Sequence, residues 1–508
     1  MLCSVKLPQK AMTKKSIVEF FILALCVILL RAPSLIEPFD KDSSANAYGA
    51  WLIVQGEPLY GYYHPAHHLP AIYYIYALGF ALFGNSLFAV KFLLLLWTIP
   101  TAYLLYRLAH YFTPSARWLA PILFVLLTTD NTLQGNSAQI ELFANLPRIG
   151  AILLLIYLVK HKKTDGQFGL LGLVGAICFL FKAVYLAPLA LAGLISWLEL
   201  GYSRQFARRM AWLILGFGVG LCPVMVYFGS LGLLPRVVAI FTMGQAYVDS
   251  ATPGFWAIFF YPFLGLTFVN LPLLLMGLVG AWLIGRDRAM PLWQRVIIPI
   301  WLLFSWLEAG FSRKPFMHYY LLLIPPLTLL TAYFIVQLSE VKKNYPQLRP
   351  LITITLTLLL ASIGLVYGYH NGNYLRHYVR YQLGQETYRE FVLHRWPFDG
   401  AMLVDIQDLA TYVQAHSTPT DQIYIWDSGL QIYYLAQRRC PLHLIWPEFI
   451  NTVAVQGSSA EVQARLLAST TKFILLGFDN PPAWLTQGLA EHYQVVKVIG
   501  QRKLYQRR

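Results

Sequence analysis

The stretch FDKDSSANAY at residues 39–48 sets two carboxylates, Asp40 and Asp42, two positions apart in a chain of which only 12% is charged. The histidines of HPAHH follow at His64, His67 and His68. Further on stand Glu141 in GNSAQIELF with Arg148 just beyond, Lys182 in FLFKAVY, and Arg313, Lys314 and His318 in FSRKPFMHYY. A carboxylate can take a proton from a hydroxyl, and fixed cations and N–H donors can stabilise a developing anion. Each group also has a plainer reading. Asp40 or Asp42 could cap a helix that starts near Ser43. Lys182 could run its stem out of a helix end to the membrane surface. Arg313 and Lys314 could touch lipid headgroups, and Glu141 alone is a weak signal. HxxHH in a proline-containing loop lacks ligand spacing on a regular element, so no metal site is expected there.

The elements that must hold these groups are membrane helices. The chain has 508 residues, is 57% hydrophobic and has a mean hydropathy of +0.52. A soluble domain is about 25% charged and less apolar, so this is a polytopic membrane protein. The first apolar run, SIVEFFILALCVILL, follows Lys14 and Lys15 without a small-residue cleavage site and reads as a retained helix. The net charge of +15 sits in short loops: Lys6 to Lys15, Arg107 and Arg117, Lys160 to Lys163, Arg204 to Arg209, Arg286 to Arg295, and Lys342 to Arg349. That is the positive-inside pattern of a membrane topology and not a nucleic-acid surface. Cys26, Cys178 and Cys222 lie in apolar runs, and Cys3 and Cys440 have no evident partner. Neither a disulfide nor a zinc site is expected.

Placing every basic loop on one side gives about eleven crossings. The segments are 16–31, 88–109, 117–130, 147–160, 167–182, 184–200, 210–229, 262–284, 294–309, 318–338 and 350–369. The apolar stretch 71–84 is too short to span and is expected at the interface, within an outer loop 32–87; a second outer loop covers 230–256. Residues 1–369 form the membrane domain on this reading. Residues 370–508 are more polar and form an extracytoplasmic α/β domain, with strands at 421–426 and 472–478 and helical spacing in QDLATYVQAH, SSAEVQARLLAS and AWLTQGLAEHY. No glycine-rich phosphate loop is present. The acids, histidines and cations named above then gather on the outer face, where ionisable groups at membrane depth are costly and usually functional.

These residues carry a family pattern. FDKDSSANAYGAWLIVQGEPLYGYYHPAHHLPAIYYIYALGFALFGNSLFAVKFL resembles the first outer loop of the dolichyl-phosphate-mannose–protein mannosyltransferase-like family. That family lies in the GT-C superfamily of membrane glycosyltransferases, with the lipid A aminoarabinose transferases. QGNSAQIELF resembles its second outer loop, FLFKAVYLAPLAL its lysine-bearing helix, and RKPFMHYYLLLIPPLTLLTA its late HYY…PP helix. DQIYIWDSGLQIYYLAQRRCP resembles the start of the outer domain. The order is kept along most of the chain. Two departures stand out: the usual Asp-Glu pair is Asp42-Ser43, and the Lys-Pro-Pro element is His68-Leu69-Pro70.

The resemblance implies a GT-C fold and a glycosyltransferase that uses a polyprenyl-phosphate-linked hexose or pentose on the periplasmic or luminal side. The acceptor would be a glycan, lipid or protein. Asp42 aligns with the family's catalytic aspartate and Tyr48 with the aromatic that follows it. Such a transfer needs a base, a phosphate clamp and a lipid-facing groove. Asp42 is the expected base with Asp40 as substitute, and Glu141 orients a hydroxyl. Lys182, Arg313 and Lys314 form the clamp, to which His67, His68 and His318 add donors. With a single attack, inversion at the anomeric carbon is expected. No cofactor is required, and the resemblance leaves room for a divalent cation. The rivals are a transporter or lipid-glycan-binding scaffold, and another lipid-linked-glycan enzyme such as an O-antigen ligase. Transporters favour midplane sites and internal repeats, neither of which is read here, and a ligase would lack the early acidic motif.

Overall fold

The computed structural model describes residues 14–251, 254–397, 399–451, 453–477 and 481–508. Cys3, Lys6 and Lys10 lie outside the described residues. The membrane part runs α1 (Lys14–Arg31), α2 (Lys41–Val54), α3 (Ala71–Phe83), α4 (Leu87–Phe112), α5 (Leu119–Thr129), α6 (Ile140–Lys160) and α7 (Phe168–Phe181). It continues through α8 (Ala187–Leu200), α9 (Arg204–Ser230), α10 (Leu234–Asp249), α11 (Ala257–Arg286), α12 (Leu292–Gly310), α13 (Ile324–Asn344) and α14 (Arg349–Gln382). Among the described residues, 7 helices are long and apolar enough to cross a bilayer, those built on α1, α4, α6, α9, α11, α13 and α14. The shorter apolar helices α3, α5, α7 and α8 accompany them. The chain is an integral membrane protein.

The outer loops read in the sequence contain helices, and the one that could start near Ser43 is α2. α2 starts on a cap: Asp40 Oδ1 accepts from the Ser43 N–H at 2.9 Å, and the helix is buried from Ser43 to Leu52. Its small residues allow close packing, and a Cβ on Gly49 would lie 2.6 Å from the Tyr73 ring of α3. α10 occupies what the sequence reads as the loop 230–256. Proline at its first turn suits a helix start, and Val237, Ile240 and Met243 give it a buried stripe. α6 begins at Ile140, seven residues before the expected start, and so carries Glu141 in its first turn. The expected segment from 318 opens as a 3-10 helix, Met317–Leu322, before α13. α14 runs unbroken past residue 369 to Gln382.

Glycines set the closest approaches between membrane helices. A Cβ on Gly216 of α9 would lie 1.9 Å from the Gly169 carbonyl oxygen of α7, so the two backbones touch. α11 is broken at Asn270, whose φ is −165°. Its Oδ1 caps the second half by accepting from the Leu273 N–H at 2.8 Å. The carbonyl of Val269, beside the break, accepts from Tyr367 Oη at 2.9 Å, the repair that non-helical backbone needs inside a membrane. The basic ends of several helices meet. Lys160 Nζ sits 4.8 Å from the Tyr111 ring centroid, Gln294 donates to Tyr111 Oη, and Arg117 pairs with Glu19 at 3.4 Å.

The C-terminal part follows as α15 (Tyr388–Arg395), α16 (Gly400–Ala415), β1 (Gln422–Trp426), α17 (Gln431–Leu435), α18 (Val453–Gln456), α19 (Ser459–Leu466), β2 (Thr471–Leu476), α20 (Ala483–His492), β3 (Tyr493–Ile499) and β4 (Arg502–Arg507). Its sheet has the order β1-β2-β4-β3. β1 and β2 are parallel, with Ile423 opposite Phe473, and β4 lies antiparallel between β2 and β3. β1 and β2 fall where strands are expected. The β3–β4 hairpin, turning at Gly500 with φ +58°, was not foreseen because its basic, polar residues hide the alternation.

The C-terminal domain is fastened to the membrane helices by a buried carboxylate. Glu37, fully buried, accepts from Arg395 Nε at 2.8 Å, faces Lys91 Nζ at 3.5 Å, and accepts from Tyr374 Oη. Arg395 also donates to the Thr129 carbonyl at 3.0 Å. Backbone contacts add to this: the His64 N–H donates to the His443 carbonyl at 2.8 Å, and Tyr62 Oη donates to the Cys440 carbonyl at 2.7 Å. Removing one partner of a buried ion pair strands the other charge, at a cost of about 3–5 kcal/mol. Arg395→Ala should therefore lower the melting stability of the detergent-solubilised protein by about that amount and open the C-terminal domain to limited proteolysis. Parental melting and cleavage would contradict this anchor.

Candidate active site

A cavity of about 290 Å³ lies between the first outer loop and α2, the start of α6, the end of α7, α10, the segment before α13 and the C-terminal domain. Asp42 reaches it from the first turn of α2. Its side chain is 38% exposed, into the cavity, with Oδ2 3.9 Å from His318 Nε2. Removal from bulk water raises the Asp42 carboxyl above its usual range; His318 opposes that shift and Asp40 adds to it. Asp40, two residues earlier, does not line the cavity. Its Oδ1 is the α2 cap, and its Oδ2 accepts from Ser43 Oγ at 2.9 Å and Gln139 Nε2 at 3.2 Å. The structural and the chemical reading thus separate onto the two aspartates.

The cationic wall belongs to Lys182. It ends α7 in extended conformation, with Nζ 3.8 Å from the Tyr319 ring centroid and 3.9 Å from Glu141 Oε1. That carboxylate also accepts from Tyr185 Oη at 2.7 Å. Glu141 lies on the wall mostly buried, and it holds Lys182 and Tyr185 together. Arg148, the ninth residue of α6, pairs inside the helix bundle with Glu308 at 2.5 Å and stays out of the cavity.

His67 and His68 face the cavity. The His67 ring stacks on Tyr247 of α10 with centroids 4.2 Å apart, and His68 Nδ1 lies 3.3 Å from Tyr73 Oη. Burial, then the neighbouring His68 and Lys182 charges, push His67 well below the usual imidazole range. Burial, with Lys182 and His318 behind it, takes His68 down to about 3. Both rings are therefore neutral at ordinary pH, and each can donate one N–H. His64 turns away: its Nε2 lies 2.8 Å from the Arg236 carbonyl, tying the loop to α10. His318 completes this side, with Nδ1 3.0 Å from Gln134 Oε1.

Three expected binding residues are outside the cavity lining. Arg313 donates to the Val248 carbonyl at 2.9 Å and lies 3.9 Å from Asp249. Lys314 donates to Ser250 Oγ at 3.1 Å and covers the outer face of Tyr247, 3.5 Å from its centroid. Tyr48 is buried, and its Oη accepts from the Cys440 N–H at 2.9 Å, so it joins α2 to the C-terminal domain. Sequence reasoning missed Gln134, Gln139, Tyr247 and Tyr319, and the lid of Trp446, Glu448 and Phe449. Lys41 ties that lid down, 3.7 Å from Glu448 and 4.9 Å from the Trp446 ring. Gln134 and Gln139 had a signal in QGNSAQIELF, and Tyr319 in the HYY motif.

Residues 64–228 match the family model of dolichyl-phosphate-mannose-protein mannosyltransferase, which takes in His67, His68, Glu141 and Lys182 but begins after Asp42. Residues 405–508 match the model Ccs4_C, for the C-terminal domain of the competence-induced protein Ccs4. No curated protein matches by sequence. Among solved structures, ArnT from Cupriavidus metallidurans bound to undecaprenyl phosphate superposes with a TM-score of 0.65 and 14% identity, over 97% of this chain and 98% of that one. The apo state of the same ArnT gives 0.60 and 14%, over 96% and 97%. The chain has the fold of this ArnT, a helical membrane bundle with a small sheet domain at its C-terminus. The resemblance to the mannosyltransferase-like family read in its sequence stands.

The division of labour between the aspartates is open to a melting experiment. Asn caps a helix about as well as Asp, whereas Ala loses about 0.5–2 kcal/mol. Asp40→Asn should melt like the parent and Asp40→Ala should not, while Asp42→Ala, which removes no cap, should leave stability nearly unchanged. A destabilised Asp42→Ala protein beside a stable Asp40→Ala would reverse the assignment.

Proposed function

We propose that the protein transfers a sugar from a polyprenyl-phosphate-linked donor to an acceptor hydroxyl, with Asp42 as general base and Lys182 as the cation facing the phosphate. One observation carries this reading: Asp42, Lys182, His67, His68 and His318 line one cavity, set at the ends of membrane helices and covered by the C-terminal domain. The ArnT structure of the same fold holds undecaprenyl phosphate, which supports a lipid phosphate as the donor's leaving group.

The chemistry follows from the parts. Asp42 accepts the acceptor's hydroxyl proton as that oxygen attacks the anomeric carbon. The bond from that carbon to the phosphate oxygen breaks, and the electron pair leaves with the lipid phosphate. Lys182, kept in place by Glu141 and the Tyr319 ring, meets the charge that develops there. Neutral His67 and His68 contribute N–H donors without adding charge. A single displacement inverts the anomeric carbon. The side is set by the basic loops: with those in the cytoplasm, the cavity and the C-terminal domain face outward. Arg313 and Lys314 act at the rim, where Lys314 supports Tyr247. The sugar is a hexose or pentose, and the acceptor a glycan, lipid or protein.

Asp42→Asn keeps the shape and removes the proton acceptor, so transfer should fall about 10²–10⁴-fold while lipid phosphate still binds. Lys182→Ala should cost about 10²–10³. Parental turnover of a lipid-linked sugar by both variants would remove the proposal. The pH profile gives an independent check. Because the Asp42 carboxyl is raised, its basic form is lost as pH falls through a value above the ordinary carboxylate range. The acid limb of kcat/KM should lie correspondingly high and vanish in Asp42→Asn. A reporter fused after Arg508 should be active only in its extracytoplasmic form; cytoplasmic activity would invert the topology.

A further inference from the structure

The end of α14, the turn that follows it and α15 bring three ligand-type side chains together, away from the cavity that holds Asp42. His377 Nδ1 lies 2.9 Å from both carboxylate oxygens of Glu386. The His394 ring stacks on that of His377 with centroids 3.7 Å apart and an interplanar angle of 19°. One ligand atom from each of the three lies within 4.8 Å of the others. The side chains of His377 and Glu386 are 10% and 6% exposed, so the pair is sheltered from competing solvent. Arg380 Nε, 3.0 Å from Glu386 Oε1, fixes the carboxylate from outside and leaves its second oxygen to the histidines, as an orienting partner does in a metal site.

We propose that His377, Glu386 and His394 bind a zinc-type divalent cation that clips α14 to α15. Two imidazoles and one carboxylate are a borderline-soft set suited to Zn²⁺ and unsuited to Mg²⁺ or Ca²⁺, which take oxygen ligands. The metal takes the place of the hydrogen bond between His377 and Glu386. A water completes the coordination. The position gives the clip a purpose. His394 is followed directly by Arg395, the partner of Glu37, so fixing α15 to α14 also fixes the arginine that anchors the C-terminal domain. The inference does not rest on the glycosyltransferase reading, because none of the three residues lines the Asp42 cavity.

The test uses full-length protein in detergent, stripped by a chelator and titrated with Zn²⁺ against a chromophoric competitor. The parent should take up one equivalent and melt higher with zinc than without it, and excess Mg²⁺ should not compete. His394→Ala and Glu386→Gln should each weaken zinc binding about tenfold or more and lose the zinc-dependent rise in melting. His394 is exposed, so its replacement should leave the metal-free melt near the parental one, and His416→Ala, at an exposed histidine elsewhere, should bind zinc like the parent. No stoichiometric zinc in the parent, or parental affinity in both ligand variants, would overturn the site.

Discussion

A charge taken out of water must find its partner inside the protein, and this fold is organised by where that happens. Glu37 has Arg395 at 2.8 Å and Lys91 at 3.5 Å. Arg148 has Glu308 at 2.5 Å. Glu141 has Tyr185 at 2.7 Å and Lys182 at 3.9 Å. Each group joins elements far apart in sequence: α4 to α15, α6 to α12, and α6 to the α7–α8 turn. Buried pairs add little net stability over apolar packing, but losing one partner is costly, so they select one arrangement of helices. In an apolar bundle, where greasy surfaces are interchangeable, that selection matters more than it would in a soluble core.

The candidate site is the place where the pairing is left incomplete. Among the described residues Asp42 has one ion-pair partner, His318 at 3.9 Å, and its side chain is 38% exposed. Lys182 is held by a carboxylate at its outer contact distance and by an aromatic face. Both retain capacity for something that arrives. His67 and His68 are kept neutral by burial, so they give the cavity N–H donors without adding positive charge. The C-terminal domain closes the space from above through Trp446 and Glu448, tied to Lys41 beside Asp42. A mostly apolar chain thereby confines its exposed chemistry to one small chamber.

Much of this was legible because membrane helices and positive loops leave strong marks, and the apolar runs became helices in the expected order. α10 was hidden because Val237, Ile240 and Met243 make a narrow stripe in a segment too polar to span. The β3–β4 hairpin was hidden behind its arginines and lysines. At the site, Asp42, Glu141, Lys182, His67, His68 and His318 come together as their types suggested. Asp40 separates from Asp42 because the N-cap and the second helical position face different ways, which spacing alone does not tell without the exact helix start. Arg313 and Lys314 fall outside because Arg313 adopts φ +53° and turns the segment onto the end of α10. Gln134 and Gln139 stand in QGNSAQIELF but are uncharged beside Glu141, while Tyr247 lies in a segment read as a loop and Trp446 and Glu448 are distant in sequence, so none was picked out for the chamber.

The central claim is that the lipid phosphate sits between Lys182 and Asp42. An experimental structure of the protein with a polyprenyl phosphate bound tests it most directly. The account predicts phosphate density in the 290 Å³ cavity, with an oxygen in hydrogen-bond reach of Lys182 Nζ and the phosphate facing the Asp42 carboxylate. Phosphate seated instead in the separate 490 Å³ cavity beside His370 and Arg395, with the Lys182 chamber empty, would contradict it.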